Sequence, residues 1–137
     1  MRRLLLDATI PIYAAGRPHP LREPCTAWMR AVVARRIDGF ASTEMVQEFV
    51  FHRLRVTGNR LQAAHEAVDL AGSLELLPFD TEILDRALAL LPVVAIGGRD
   101  CVHAATALSC GIEAIVTPDK AFDSVPGLHR IDPTTQP

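Results

Sequence analysis

The chain has 137 residues, 49% of them hydrophobic and 22% charged, with a formal net charge of -2 and three cysteines. This length suits one domain, residues 1–137, able to bury roughly two-thirds of its unfolded surface in a core. The balance excludes a disordered, collagenous or coiled-coil chain, and no apolar run reaches the roughly 18 residues of a membrane span.

The start, Met1 to Asp7, has too short an apolar stretch for a signal peptide, so a cytoplasmic location is expected. Cys25, Cys101 and Cys110 are odd in number and form no CxxC. They read as small buried hydrophobes rather than a disulfide framework or a zinc site. The near-neutral charge gives no strong global field toward nucleic acid. Of the 14 basic residues, however, only Lys120 is lysine. The arginines carry a planar donor fork suited to phosphate and carboxylate.

In chain order, Leu4 to Leu6 is a short apolar run ending at Asp7. Residues 21–37 read as a helix with Trp28, Val32 and Val33 on its apolar side. Gly39 to Ala41 reads as a strand. Ser42 then caps a helix carrying Met45, Val46, Phe49 and Val50 at helical spacing. Another helix runs from about Arg60 to Leu70. Leu74 to Phe79 is a strand, and Asp80 caps a helix with Ile83, Leu84, Ala87, Leu88 and Leu91 inward. Gly97-Gly98 breaks the chain. From Arg99 a helix places Cys101, Ala104, Ala105 and Leu108 on one face, and Gly111 ends it as a glycine after a helix commonly does. Ile112 to Val116 is a buried strand, Pro118-Asp119 a turn, and Leu128 to Ile131 an edge strand. Pro133 to Pro137 is expected to fray. This alternation predicts a three-layer α/β/α fold with a central parallel sheet of about five strands.

Ligands of such sheets bind beyond the carboxyl ends of the strands. Four carboxylates fall there. Asp7 ends the first strand, Glu44 and Asp100 lie in first turns of helices, and Asp119 follows the last buried strand. Singly, each also reads as an ordinary cap or turn residue. Converged, they would repel one another unless a cation neutralised them. Mg²⁺ or Mn²⁺, hard ions that prefer oxygen ligands, meet that demand and leave positions open for a phosphate. The expected chemistry is metal-dependent phosphodiester hydrolysis.

The motifs Leu4-Leu5-Leu6-Asp7-Ala8-Thr9, Ser42-Thr43-Glu44-Met45-Val46-Gln47-Glu48-Phe49, Arg99-Asp100-Cys101-Val102-His103-Ala104-Ala105 and Thr117-Pro118-Asp119-Lys120-Ala121-Phe122 span nearly the whole chain. In order and spacing the chain resembles the PIN-domain ribonucleases, and among them the VapC-type toxins of toxin-antitoxin pairs. The resemblance implies five parallel strands between helices and binding of Mg²⁺ or Mn²⁺ by Asp7, Glu44, Asp100 and Asp119. It also implies RNA cleavage by activated water to 5′-phosphate and 3′-hydroxyl ends, silencing by a cognate antitoxin, and homodimers. Thr9 fills the place, two residues after the first Asp, where the family often has Ser, Thr or Asn.

The Thr117 hydroxyl either holds a water or phosphate near the metals or satisfies a turn. Asp123 is a loop residue or an outer ligand. Glu48, one turn after Glu44, either orients a water or forms a solvated salt bridge. His103 reads as a supporting or packing residue, since imidazole suits zinc and copper better than magnesium. Arg53, Arg55 and Arg60, and likewise Arg30, Arg35 and Arg36, either track an RNA backbone or form solvated helix surfaces. Phe49 and Phe51 read as core or interface. Two other functions fit the pattern less well. A haloacid-dehalogenase-type phosphotransfer enzyme needs a second Asp where Thr9 stands. A non-catalytic interaction module has no need of four acids.

Overall fold

The computed structural model describes residues 1–137. Five strands, β1 (Arg3–Leu6), β2 (Asp38–Ser42), β3 (Glu75–Leu77), β4 (Ala114–Val116) and β5 (His129–Ile131), form one sheet in the order β3-β2-β1-β4-β5, with every pairing parallel. Six helices connect them: α1 (Thr9–Ala15), α2 (Arg22–Val33), α3 (Thr43–Thr57), α4 (Arg60–Ser73), α5 (Thr81–Leu90) and α6 (Gly98–Ser109). Strand order reverses on either side of β1, which pairs with β2 in one direction and β4 in the other. That reversal opens a crevice beyond the carboxyl ends of β1 and β4.

The pleat sends successive β1 side chains to opposite layers. Leu5 packs with Ile115, Ile83 and Ala87 of α5, and Cys101, Ala104 and Ala105 of α6. Leu4 and Leu6 pack with Ile10, Cys25, Trp28 and Val32 on the other side. Every residue from Cys101 to Ala107 is buried. Small side chains there let the helix sit flush against the sheet.

Several elements match the expected ones, caps included. Ser42 Oγ accepts from the Glu44 amide at 3.1 Å, and Asp80 Oδ1 accepts from the Ile83 amide at 2.9 Å. Gly111, with φ +68, follows α6. Other expectations are corrected. The segment after Asp7, which sequence left unassigned, forms α1, and its Pro11 falls in the first turn, where a missing N–H is harmless. The helix expected over 21–37 stops at Val33. The Arg35 amide donates to Val32 O and the Arg36 amide to Ala31 O, and Arg35 takes the left-handed φ of +57 that glycine usually supplies. Val33 faces solvent, as does Phe51. Leu84, Leu88 and Leu91, expected inward, are 40%, 57% and 44% exposed. Only Ile83 and Ala87, one turn apart, reach the core, because α5 lies on the outside of the fold and meets it along a narrow strip. Cys110 is only half-buried, and all three cysteines are free. The tail is pinned at Pro133, whose buried carbonyl accepts from Trp28 Nε1 at 2.9 Å. No single helix is long and apolar enough to cross a membrane.

Gly39 lets α2 approach β2 closely. A Cβ there would lie 2.9 Å from Val32 Cγ2 and 3.0 Å from Leu74 Cδ2. Gly39→Ala is therefore expected to destabilise the fold by about 1–3 kcal/mol through overpacking. Adding Val32→Ala should recover part of that loss in urea unfolding; a double variant no better than the single one would contradict the contact.

Candidate active site

Asp7 sits in the crevice at the end of β1 and is 4% exposed. Its carboxylate does not cap α1: the cap residue is Ala8, and no side chain bonds the helix start. Asp7 Oδ2 instead accepts two hydroxyl protons, from Thr9 at 2.9 Å and from Thr117 at 2.7 Å. Thr117, fully buried at the end of β4, also accepts the Asp119 amide at 3.2 Å. Both hydroxyls thus hold one Asp7 oxygen, while Oδ1 takes no protein hydrogen bond. The arrangement orients a buried carboxylate without neutralising it.

Asp100 enters from the first turn of α6. One oxygen each from Asp7 and Asp100 and one ring nitrogen of His103 lie within 4.8 Å of one another. Burial raises the Asp100 carboxyl to about 6, and the charges of Asp7, Glu48 and Asp119 push the same way against a lowering influence from His103. Asp119 therefore belongs to the electrostatic surroundings of Asp100. One of its oxygens is also spent as an ordinary cap, accepting the Ala121 amide at 2.9 Å.

The glutamates on α3 divide differently from the sequence expectation. Glu48 Oε1 lies 2.7 Å from His103 Nε2 and acts on Asp100. Glu44, one turn nearer the helix start, is not among the charges that shift Asp100. It lies 3.4 Å from the exposed Arg99 side chain, which also reaches Glu48 at 3.9 Å. Glu44 and Glu48, at i and i+4, share the helix face that meets Arg99. His103 is fully buried. Burial disfavours its charged form, but the Glu48 hydrogen bond and the charges of Glu48, Asp7 and Asp100 outweigh this and hold its pKa above the ordinary value. His103 thus ties α6 to Glu48 of α3. Its Nδ1 has no hydrogen-bond partner.

Asp123 Oδ1 accepts from Arg130 Nε at 3.0 Å, and Arg130 in turn donates to the Thr117 carbonyl at 3.3 Å. Arg53 is buried, with Nε and Nη2 on Glu66 at 2.6 and 3.3 Å, so it ties α3 to α4 instead of lying on a solvated surface. Thr9, committed to Asp7, offers nothing in place of the second Asp that a haloacid-dehalogenase-type reaction needs.

A parallel sheet that reverses order at β1, with Asp7 and Asp100 meeting in the resulting crevice, defines an α/β protein with an acidic site at the carboxyl edge of its sheet. The PIN domain model matches residues 4–128, and the chain belongs to the PIN domain family. It is 33% identical over 132 residues to Ribonuclease VapC7 of Mycobacterium tuberculosis, covering 95% of this chain and 91% of that protein. Among solved structures, VapBC2 from Rickettsia felis bound to a DNA fragment from its promoter superposes with TM-score 0.72 at 18% identity, covering 94% of this chain and 97% of that one. VapC20 of Mycobacterium tuberculosis, a toxin that cleaves the sarcin-ricin loop, gives 0.71 at 15% identity, covering 88% and 92%. These two likenesses are of fold.

The elevated Asp100 carboxyl makes a pH signature. Between its unfolded value of 3.8 and about 6, the folded chain keeps a proton that the unfolded chain has lost. Stability from this group is present at low pH and is lost as pH rises through that window. In chelator, Asp100→Asn is expected to melt progressively higher than the parent chain as pH climbs from 4 to 7. A constant difference across that range would show that Asp100 is not strained.

Proposed function

We propose that this chain is a metal-dependent endoribonuclease, the toxin of a VapBC-type toxin-antitoxin pair. The observation that carries the reading is the buried Asp7 beside Asp100, with its second oxygen free of protein donors. Two such carboxylates are unfavourable together unless a cation joins them. The donor set fits Mg²⁺ or Mn²⁺. The His103 nitrogen facing Glu48 is engaged, which leaves oxygens of Asp7, Asp100, Asp119 and Glu48 to surround an ion. Glu44, beside them on α3, is proposed to act at the rim through Arg99.

When bound, a divalent ion supplies positive charge for the phosphoryl oxygens and makes a nearby water more acidic. The protein's own part is positional. Thr9 and Thr117 fix the Asp7 carboxylate in one orientation. His103 holds Glu48 toward the crevice. Asp100, whose carboxyl burial and the neighbouring acids raise in the metal-free chain, would be held ionised by the cation it helps to bind. Arg99, 60% exposed at the rim, offers a cation to the substrate backbone. The resemblance to PIN-domain ribonucleases implies 5′-phosphate and 3′-hydroxyl ends for the products.

RNA as substrate and an antitoxin as partner are supported by the ribonuclease VapC7 and VapBC relatives. An apolar groove of about 350 Å³ lined by Pro11, Ala14, Met29, Val33, Phe49 and Leu70 suits a protein partner. The exposed Leu84 and Leu88 of α5, with Leu91 just after it, suit self-association into a homodimer.

Purified, antitoxin-free protein incubated with RNA and Mg²⁺ or Mn²⁺ tests the reading, with cleavage ends mapped. Asp7→Asn and Asp100→Asn are expected to lower cleavage by about a hundredfold or more, since even residues that merely support a metal site affect it by 10–100-fold. Glu48→Gln is expected to cut activity more deeply than Glu44→Gln. Undiminished cleavage by Asp7→Asn would overturn the assignment. Independently of activity, a divalent ion at about 100 times its dissociation constant is expected to stabilise the fold by about 2.7 kcal/mol. An unchanged melting temperature would exclude a preformed site.

A further inference from the structure

A second cavity, of about 350 Å³, lies between α1, the α1–α2 loop and α3. Its lining includes Tyr13, Arg17, His19, His52 and Arg53 and no carboxylate. Both helix walls originate at the acidic cluster. Tyr13 is one turn beyond Thr9, and His52 is one turn beyond Glu48, about 6 Å along each helix. The cavity therefore lies one helical turn along both α1 and α3 from residues around the acidic cluster.

Its polar groups are built for a ligand with a ring and an anion. The Tyr13 and His19 rings stack with centroids 4.6 Å apart and planes 30° from parallel. His19 Nδ1 accepts the Leu21 amide at 3.0 Å, which fixes the ring and places its proton on Nε2 as an outward donor. Arg53 is spent on Glu66, so Arg17 is the exposed cation of the wall. His52 Nδ1 is buried without a partner. Burial, then the charges of Arg53 and Arg55, lower the His52 pKa and keep it neutral, able to donate through one ring nitrogen and accept through the other.

We infer that this cavity holds one nucleotide of a single-stranded RNA next to the scissile phosphate, its base against the Tyr13–His19 pair and its phosphate on Arg17. The inference rests on the ribonuclease reading above. Stacking on rings tolerates any base, while the arginine reads the backbone charge. Selection among RNAs then falls to the polar edges of His19 and His52.

Fluorescence anisotropy with a labelled single strand of about ten nucleotides, a length within the usual single-strand site sizes, tests it. The full chain is used in the Asp7→Asn background with Mg²⁺, so that the strand stays intact. Arg17→Ala is expected to weaken binding and to reduce the slope of log affinity against log salt by about 0.7, one phosphate contact. Tyr13→Leu, which keeps apolar volume, is expected to weaken binding about fivefold or more with the slope unchanged. Melting curves verify that each variant folds. Arg86→Ala, on the exposed face of α5, should change neither quantity. Parent-like affinity and slope in Arg17→Ala and Tyr13→Leu overturn the inference, as does an equal loss in Arg86→Ala. RNA cleavage by the chain that retains Asp7 is scored separately: its absence removes the ribonuclease reading, while anisotropy still judges the cavity.

Discussion

Two carboxylates with little access to water, Asp7 and Asp100, impose the conditions that the surrounding structure meets. Burial and mutual repulsion raise the Asp100 carboxyl to about 6. Around them the fold supplies orientation more than neutralisation. Two hydroxyls grip one Asp7 oxygen, and a buried imidazole bonds Glu48. Each of these groups arrives from a different element: Thr9 from α1, Thr117 just after β4, His103 from α6 and Glu48 from α3. Placing β1 between β2 and β4 brings those four elements to one edge.

The same topology separates charge along α1 and α3. The acidic group lies at the starts of α1 and α6, while the wall farther along α1 and α3 carries Arg17, His19 and His52. An anionic polymer meets repulsion at one end, relieved by a divalent ion, and attraction at the other. The frame that holds this polarity is stiff. Gly39 admits close packing of α2 on β2, and the Arg53–Glu66 pair clamps α3 to α4.

Much of this was readable beforehand because it follows from local rules. Caps at Ser42 and Asp80 and the glycine at 111 appeared where expected, since one side chain or one permissive φ decides each. The α2 end was missed because Arg35 occupies the left-handed position with no glycine to announce it. The inward placement of Leu84, Leu88 and Leu91 failed because helical periodicity reports which residues are apolar, not how wide a strip the neighbouring layer covers. The tail looked free because the bond from Trp28 to Pro133 joins residues 105 positions apart.

The candidate site divides along the same line. Residue order alone implied the α/β architecture, the carboxyl-edge location and the chemistry of clustered acids, because hydrophobic period and strand-to-helix alternation are local properties. Folding alone decided that Glu48 pairs with His103, that Asp123 accepts from Arg130, and that Arg53 is buried. Each of those outcomes depends on which side of a helix meets a partner distant in the chain, and spacing along one segment carries no record of that partner.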